Sequence, residues 1–261
     1  MNIMRIGVYG LGRFGRLWAE LLGRCHEVWG FNRRELRNPP SRVRLVGEEE
    51  LFLCDAVFFC VTISALPDVL ERTARYMRPG TLVADTCSVK LLPGKWMDRA
   101  VPEGVHVLGT HPMFGPDSVR NGWEGLPLVL CPVRLGEETL RGWTDIFSGF
   151  GLRVIVMTAD EHDHQAAYSQ GVTHFIGRVL DDLGIGEAEL ATLGYRKILE
   201  VKQQTCNDPW QLFLDLQRYN PYTEEMRMRL TISLDRVMEA IAPPAGESET
   251  DDPLDTAGGR R

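Results

Sequence analysis

The chain has 261 residues (29.4 kDa), of which 44% are hydrophobic and 25% charged, with a formal net charge of −7 and a sequence pI of about 5.5. These values, with a mean hydropathy of −0.16, are those of a soluble globular protein and exclude a disordered chain, a collagen and a membrane bundle. The acidic balance argues against nucleic-acid binding, which usually needs a basic surface. No apolar run reaches the roughly 18 residues of a membrane span, and the first residues lack the pattern of a signal peptide.

The six cysteines are scattered along the chain and form no C-x-x-C pair. Most lie inside apolar runs, where a free cysteine behaves as a small buried hydrophobic residue. This usage predicts reduced thiols in a cytoplasmic protein that has neither a disulfide framework nor a structural metal.

In the first part of the chain, short apolar runs alternate with helical stretches. Helical spacing of apolar positions appears over residues 14–23, 64–78 and 137–148. The alternation predicts an α/β fold with a doubly wound, Rossmann-type sheet, and runs that are apolar on both faces suit parallel strands covered by helices on both sides. Seven runs are predicted to be strands: MRIGVYG, EVWGF, AVFFCV, TLVADT, VHVLGT, LPLVLCP and LRVIVM.

After about Met157 the strand signals stop, and long periodic segments predict helices over 159–183, 187–205 and 209–241, with a break at Asn220-Pro221. The last segments carry too many apolar residues for a lone surface helix, which predicts contact with another helix layer or another subunit. The predicted organisation is therefore a dinucleotide-binding domain over 1–157, a helical domain over 158–242, and a disordered tail over 243–261, rich in Pro, Gly, Ser, Thr and acidic residues.

A glycine-rich motif, GLGRFG, follows the first predicted strand and opens the first predicted helix. In this context the first glycine allows a tight turn, the second lets a pyrophosphate approach the backbone, and the third lets helix and strand pack closely. The motif predicts a dinucleotide site, although glycines at this spacing also occur by chance in ordinary loops. The residues of this predicted loop are Gly10, Leu11, Gly12, Arg13, Phe14 and Gly15.

The end of the second predicted strand indicates which dinucleotide binds. A site for NAD places an acid there to bind the ribose 2′-hydroxyl, whereas Asn32, Arg33 and Arg34 follow this strand. An amide and two guanidiniums suit a 2′-phosphate, so NADP is predicted over NAD. Two alternatives stay open: both arginines are solvated loop charges, or Glu35 serves NAD.

Two polar residues follow later strands at the edge where α/β sheets bind ligands. His111 lies in THPMFGP, and its ordinary pKa near 6.5 suits a general base; the alternative is a histidine that caps a turn. Ser88 lies in DTCSVK, where its hydroxyl can both donate and accept a hydrogen bond; the alternative is a cap for the next helix.

In the helix predicted after residue 159, Asp163, Ala167, Gln170 and His174 fall on one stripe at 100° per residue. Such a polar stripe lines a cavity or faces solvent. His162 and His164, two residues apart, point in different directions, so no metal site is predicted.

Taken in order, GLGRFG, DTCSVK, THPMFGP, EHDHQAAYSQGVTHFIGRVL and LGYRKILEVKQQTCNDPWQL resemble the prephenate/arogenate dehydrogenases of tyrosine biosynthesis, and most the plant-type arogenate dehydrogenases. The resemblance covers roughly residues 4 to 240. It implies a Rossmann domain, a helical domain that forms a homodimer, and oxidative decarboxylation of a cyclohexadienol. In that reaction a hydride goes to the nicotinamide, a hydroxyl loses its proton, CO2 departs and the ring becomes aromatic.

The resemblance also assigns roles. His111 would take the hydroxyl proton and Ser88 would hydrogen-bond the same hydroxyl. Gln170 and His174 would line the substrate pocket, and Thr62 would lie near the nicotinamide.

At one position the chain differs from many bacterial members of this family. Those members carry an arginine five residues before an Asp-Pro pair, where it holds a substrate carboxylate. Gln203 stands there instead, as expected in the plant-type branch. Lys202 and Arg196 are nearby candidates for the carboxylate contact, although solvated helix charges explain both better.

In the plant-type branch an acid at the position that matches Asp208 goes with arogenate, whose ammonium needs a carboxylate partner, so the resemblance implies arogenate. The Asp-Pro pair also occurs in bacterial prephenate enzymes, which leaves prephenate open. Alternatively, Asp208 caps a helix that starts at Pro209.

The sequence thus predicts a dimeric enzyme that uses NADP, or alternatively NAD, on arogenate or prephenate, with no nucleic-acid or membrane partner. Two alternatives remain. One is another two-domain reductase, similar to the β-hydroxyacid dehydrogenases, although these rely on a helical-domain lysine. The other is a dinucleotide-sensing protein, which would need neither Ser88 nor His111.

Overall fold

The computed structural model describes residues 3–243. One sheet crosses this region in the order β3-β2-β1-β4-β5-β6-β7-β8, with every neighbouring pair parallel except the antiparallel pair β6–β7. Its strands are β1 (Arg5–Tyr9), β2 (Glu27–Phe31), β3 (Val43–Leu45), β4 (Ala56–Phe59), β5 (Leu82–Asp85), β6 (His106–Pro112), β7 (Pro127–Arg134) and β8 (Arg153–Val156).

Helices connect the strands and then make up the rest of the described chain. The first five are α1 (Arg13–Leu22), α2 (Glu48–Leu51), α3 (Leu66–Thr73), α4 (Leu91–Ala100) and α5 (Glu137–Gly149). The last five are α6 (Ala159–Ala166), α7 (Val172–Asp182), α8 (Leu193–Cys206), α9 (Trp210–Tyr219) and α10 (Thr223–Ile241), and a π turn, Ala167–Gly171, joins α6 to α7. None of the described helices has the length and apolar character to cross a membrane.

The predicted α/β class is confirmed, and all seven predicted strands form. The prediction missed β3, because the three residues VRL are too short and too exposed to give a strand signal. The antiparallel pair β6–β7 corrects the expectation of a parallel sheet. The division into domains stays a prediction, and the predicted tail lies outside the described residues except at its first position, Pro243.

Several helix boundaries also differ from the predicted ones. The helix predicted over 64–78 is α3 with a short 3-10 turn on each side, and the one predicted over 187–205 starts only at Leu193. The predicted break at Asn220-Pro221 is confirmed, since α9 ends at Tyr219 and α10 begins at Thr223.

Successive side chains of the central strands point to opposite faces of the sheet. Both faces are buried, each under its own apolar cluster. Phe58 packs on one face in a cluster with Trp18 and Phe147, and the adjacent Phe59 packs on the other with Leu70. The carboxyl ends of β1, β4 and β5 meet at one edge, and the chain reverses its direction of winding beside β1. Ligands of open α/β sheets bind at such a switch point.

Candidate active site

A cavity of about 410 Å³ opens at this edge, between the loops that follow the strands and the helices of the second half. It brings together ten of the predicted site residues: Gly12, Arg13, Phe14, Gly15, Thr62, Ser88, His111, Gln170, His174 and Asp208. The other predicted residues, Gly10, Leu11, Asn32, Arg33 and Arg34, are not in its lining. The roles of all fifteen stay predictions.

The glycine loop has the shape that a dinucleotide requires. Gly10 has a φ of +98°, and a Cβ there would lie 2.5 Å from the Cys60 carbonyl oxygen. A Cβ on Gly15 would lie 1.8 Å from the Gly10 carbonyl oxygen, so helix and strand could not approach as they do. A Cβ on Gly12 would meet nothing within 4 Å, and no side chain caps α1 there. The first N–H groups of α1 therefore face open space, where a pyrophosphate fits.

Asn32 supports this loop: its Oδ1 accepts from the Leu11 N–H at 3.0 Å, and its Nδ2 donates to the Arg34 carbonyl at 2.7 Å. Arg33 and Arg34 are exposed beyond it, and neither guanidinium has an ion-pair partner in the region from residue 3 to 243. Both are thus free to meet an anionic group at the end of β2.

His111 is the penultimate residue of β6 and the first member of a buried hydrogen-bonded series. Its Nδ1 lies 2.8 Å from Nε2 of His162, and Nδ1 of His162 lies 2.8 Å from Oδ1 of Asp163. Because a carboxylate only accepts, a neutral His162 donates to Asp163 and accepts from His111. His111 then carries its proton on Nδ1, which leaves the Nε2 lone pair free as a base.

The surroundings keep His111 neutral. Burial, and to a lesser degree the positive charge of Lys90, holds the pKa of His111 well below its ordinary value. Lys90 is itself fully buried, where it pairs with Asp85 and donates to the Thr110 carbonyl at 2.7 Å. This cation behind the β6 end opposes protonation of the imidazole.

Three polar atoms of the cavity wall are buried and have no hydrogen-bond partner within the described chain: Ser88 Oγ, Gln170 Oε1 and His174 Nδ1. Such groups are costly unless a ligand or water satisfies them. Burial, and to a lesser degree Arg178, lowers the pKa of His174 to about 4, so that its imidazole is neutral at pH 7. The alternative of Ser88 as a helix cap is wrong, because Lys90 occupies the N-cap position of α4.

The residues of the predicted polar stripe lie in two different places, the cavity and the start of α4. Gln170 and His174 line the cavity, so the solvated-face alternative is wrong for them. Asp163 instead accepts from the backbone N–H groups of Lys90 at 2.7 Å and Leu91 at 2.9 Å, which caps the start of α4. The π turn between α6 and α7 separates these positions, since it adds a residue to the helical turn.

Asp208 lies at the mouth of the cavity, where Oδ1 is 3.3 Å from NH1 of Arg13. Burial raises the pKa of Asp208, and Arg13 opposes that shift. The capping alternative is wrong, since Pro209 is the N-cap of α9 and no side chain caps that helix. Arg13 also pairs with Asp117, so it joins the glycine loop to both sides of the cavity mouth.

The two candidate carboxylate anchors, Lys202 and Arg196, do not line the cavity, and neither does Gln203. Gln203 and Arg196 are exposed, and Gln204 lines the cavity in place of Gln203. Lys202 Nζ donates to the Ile185 carbonyl at 2.6 Å and pairs with Asp181. Neither Lys202 nor Arg196 is therefore placed to hold a substrate carboxylate.

Two thiols line the cavity but are not nucleophiles. Burial raises the pKa of Cys60 to about 12 and that of Cys87 well above its ordinary value, so both stay protonated. No group of three His, Cys, Asp or Glu side chains that could hold a metal ion occurs in residues 3–243.

Sequence reasoning missed the contribution of His162. It considered this residue only as a metal ligand beside His164, whereas the structure places it between His111 and Asp163. His162 lies 51 residues from His111 in the sequence, so no local pattern could reveal the contact. It also missed Asp215, a buried carboxylate of α9 that lines the cavity.

Residues 44–156 match the family model "Prephenate dehydrogenase, nucleotide-binding domain", and residues 179–249 match "TYRAAT1-like, C-terminal domain". The chain is 32% identical to arogenate dehydrogenase 2, chloroplastic, of Arabidopsis thaliana over 252 residues, which covers 92% of this chain and 70% of that protein. It is 31% identical to arogenate dehydrogenase 1, chloroplastic, of the same plant over 244 residues, covering 89% of this chain and 38% of that protein.

Among solved structures, the prephenate dehydrogenase from A. aeolicus in complex with hydroxyphenyl propionate and NAD+ superposes with a TM-score of 0.73. The two chains are 16% identical, and the match covers 92% of this chain and 91% of that one, which shows a shared fold. With the sequence identity to the plant enzymes, these findings show that the chain belongs to the prephenate/arogenate dehydrogenase family, in the branch of the plant arogenate dehydrogenases.

Proposed function

We propose that the chain catalyses the NAD(P)-dependent oxidative decarboxylation of arogenate or prephenate in tyrosine biosynthesis. The observation that carries this proposal is the pairing, in one cavity, of a neutral His111 with the unpartnered hydroxyl of Ser88 beside the glycine loop. The relatives named for this chemistry support it.

Each residue of the cavity has a proposed role in this reaction. Nε2 of His111 takes the proton of the ring hydroxyl, and Ser88 hydrogen-bonds the same oxygen. The series from His111 through His162 to Asp163 fixes the imidazole and stabilises the positive charge that it gains. The glycine loop would hold a nicotinamide dinucleotide, which would supply the acceptor for the hydride from the carbon that carries the hydroxyl. The ring carboxylate leaves as CO2, and its bonding electrons complete the aromatic ring.

We propose NADP as the preferred cofactor, because Arg33 and Arg34 offer two unpaired guanidiniums at the end of β2. A guanidinium binds a phosphate through two parallel hydrogen bonds. Arogenate is the proposed substrate, with Asp208 at the cavity mouth as the partner of its ammonium. Of the residues that line the cavity, Arg13 carries a guanidinium and is the proposed contact for an anionic group.

We also propose a homodimer formed through the helical half. The apolar side chains on the outer surface of α10 are the support for this assembly, since large apolar patches mark interfaces. These residues are Met228, Ile232, Leu234, Val237, Met238 and Ile241. Light scattering of the purified chain measures the mass directly, and Leu234→Lys is expected to convert a dimer to a monomer.

Initial rates of nicotinamide reduction with arogenate or prephenate, each with NADP or NAD, test the proposal. Turnover of arogenate with NADP is expected to be fastest. Preference for prephenate would retain the reaction but remove the proposed role of Asp208. Absence of nicotinamide reduction by folded protein in all four assays would contradict the proposed activity and favour a dinucleotide-sensing protein. A reaction like that of the β-hydroxyacid dehydrogenases is less supported, because none of the described residues that line the cavity is a lysine.

A further inference from the structure

Asp215 is a carboxylate in the cavity wall for which the proposed reaction has no use. It lies on α9, and only 2% of its surface is exposed. Oδ2 accepts from the Ser64 backbone N–H at 3.1 Å and from the Ser64 hydroxyl at 3.0 Å. Oδ1 accepts from Nε2 of Gln211 at 2.7 Å. A helix of the second half thus holds a turn of the nucleotide-binding half.

The turn that Asp215 holds connects β4 to α3 and carries Thr62. Thr62, Ile63 and Asp215 all line the cavity, and Ser64 Oγ lies 3.5 Å from Thr62 Oγ1. The carboxylate, Ser64 and Thr62 therefore form one connected group at the edge of the sheet. Thr62 follows the strand beside β1, so this group faces the part of the cavity next to the glycine loop.

The charge of Asp215 is not balanced by the protein. Its three hydrogen-bond donors are all neutral, and no Lys, Arg or His of the described region forms an ion pair with it. Asp85 and Asp208 differ in this respect, since Lys90 and Arg13 pair with them. A buried carboxylate without a cation is costly, so a cationic group that enters the cavity gains from it.

We propose that Asp215 is a positioning residue for the nicotinamide end of the dinucleotide and favours its oxidised form. It fixes the turn that carries Thr62, and its charge acts on a ring that is cationic when oxidised and neutral after it has accepted a hydride. Because a fixed charge acts on the cationic form alone, Asp215 stabilises the oxidised cofactor over the reduced one. This inference rests on the proposed use of a nicotinamide dinucleotide.

The test compares the binding of NADP+ and NADPH to the full chain, without substrate, by isothermal titration calorimetry. Asp215→Asn keeps the size of the side chain and removes its charge. It is expected to weaken NADP+ binding about tenfold and NADPH binding by about twofold or less. The difference is the size expected when a charge–charge interaction is lost in a partly desolvated site. Ser64→Ala keeps the charge and is expected to weaken both forms equally. Asp235→Asn, on the exposed surface of α10, is the matched control and is expected to change neither.

Each outcome decides the inference. Equal weakening of both cofactor forms in Asp215→Asn would mean that Asp215 only supports the structure, and unchanged binding would remove it from the cofactor site. Either result leaves the proposed function intact. Failure of the unaltered chain to bind either dinucleotide would overturn the proposed function as well. If Asp215→Asn does not fold, judged by circular dichroism, Asp215→Ser gives the same comparison in a smaller neutral side chain.

Discussion

The nucleotide-binding half and the helical half of the chain bury their residues to very different extents. Every residue of β4 and β5 is buried, and their side chains fill two apolar clusters on the faces of the sheet. By contrast, α8 buries one residue, Thr205, and α10 buries Thr223 and Met226. The helical half turns polar groups towards the cavity and apolar groups outwards. One half is thus a densely packed support, whereas the other contributes polar groups to the cavity and leaves apolar side chains exposed.

Removing the proposed base on the sheet side of the cavity, His111, is expected to have the largest effect. His111→Asn should lower kcat by about 10²–10⁴, the usual loss for a general base, while dinucleotide binding is unchanged. Initial rates and calorimetric binding constants measure the two quantities. His164→Asn, an exposed histidine of α6, is the matched control. Unchanged turnover in His111→Asn would mean that the general base is not His111 but a residue of the helical half.

The difference in packing can be measured by removing one apolar side chain from each half. Phe147→Ala, in the fully buried cluster of α5, should lower the free energy of unfolding by about 3–5 kcal/mol. Val237→Ala, on the exposed face of α10, should change the free energy of unfolding of the monomer by less than about 0.5 kcal/mol. Urea unfolding at a protein concentration low enough to keep the chain monomeric gives both values. A cost for Val237→Ala that increases with protein concentration would support the proposed dimer, and a large cost in the monomer would contradict the exposed position of Val237.

Acid should destabilise the ligand-free protein through its buried histidines. His174 has a folded-state pKa of about 4, against about 6.5 when unfolded, so the unfolded chain takes up a proton first as the pH falls. The free energy of unfolding should therefore decrease by about 3 kcal/mol from this residue between pH 6.5 and pH 4. Urea unfolding at several pH values, compared with His174→Gln, isolates the contribution. An equal pH dependence in the two proteins would contradict it.

The smallest expected effect concerns the cofactor phosphate. Arg33→Ser or Arg34→Ser should weaken NADP binding about tenfold each, because one guanidinium contact to the 2′-phosphate is lost, and should leave NAD binding unchanged. Arg37→Ser, an exposed arginine of the same loop, is the control. Equal losses for both dinucleotides would assign these arginines to a general electrostatic role.

The sequence predicted those parts of the molecule that depend on local patterns. The glycine spacing of Gly10 to Gly15 and the apolar strands are local, and both were found. The stripe of Gln170 and His174 was also found at the cavity, because these residues lie one helical turn apart. The three-residue strand β3 gave too little periodicity to be recognised.

The parts that the sequence did not reveal depend on contacts between distant segments. His162 meets His111 across 51 residues, and Asp215 meets Ser64 across 151. Nothing near Asp163 indicates that its carboxylate caps α4, because that role is set by how the helix packs on the sheet. Whether a polar residue serves substrate, cofactor or backbone is therefore decided by tertiary packing.

The π turn over Ala167–Gly171 has a consequence for how this helix tolerates length changes. It is equivalent to one extra residue accommodated within an otherwise continuous helix. Deleting a single residue there would restore a regular α-helix without rotating the segment that follows, because the π turn absorbs the extra residue. His162, Asp163 and His174 would then keep their places, although the number of residues between them had fallen by one. In this segment the identity of the residues that face the cavity is thus more constrained than the number of residues between them.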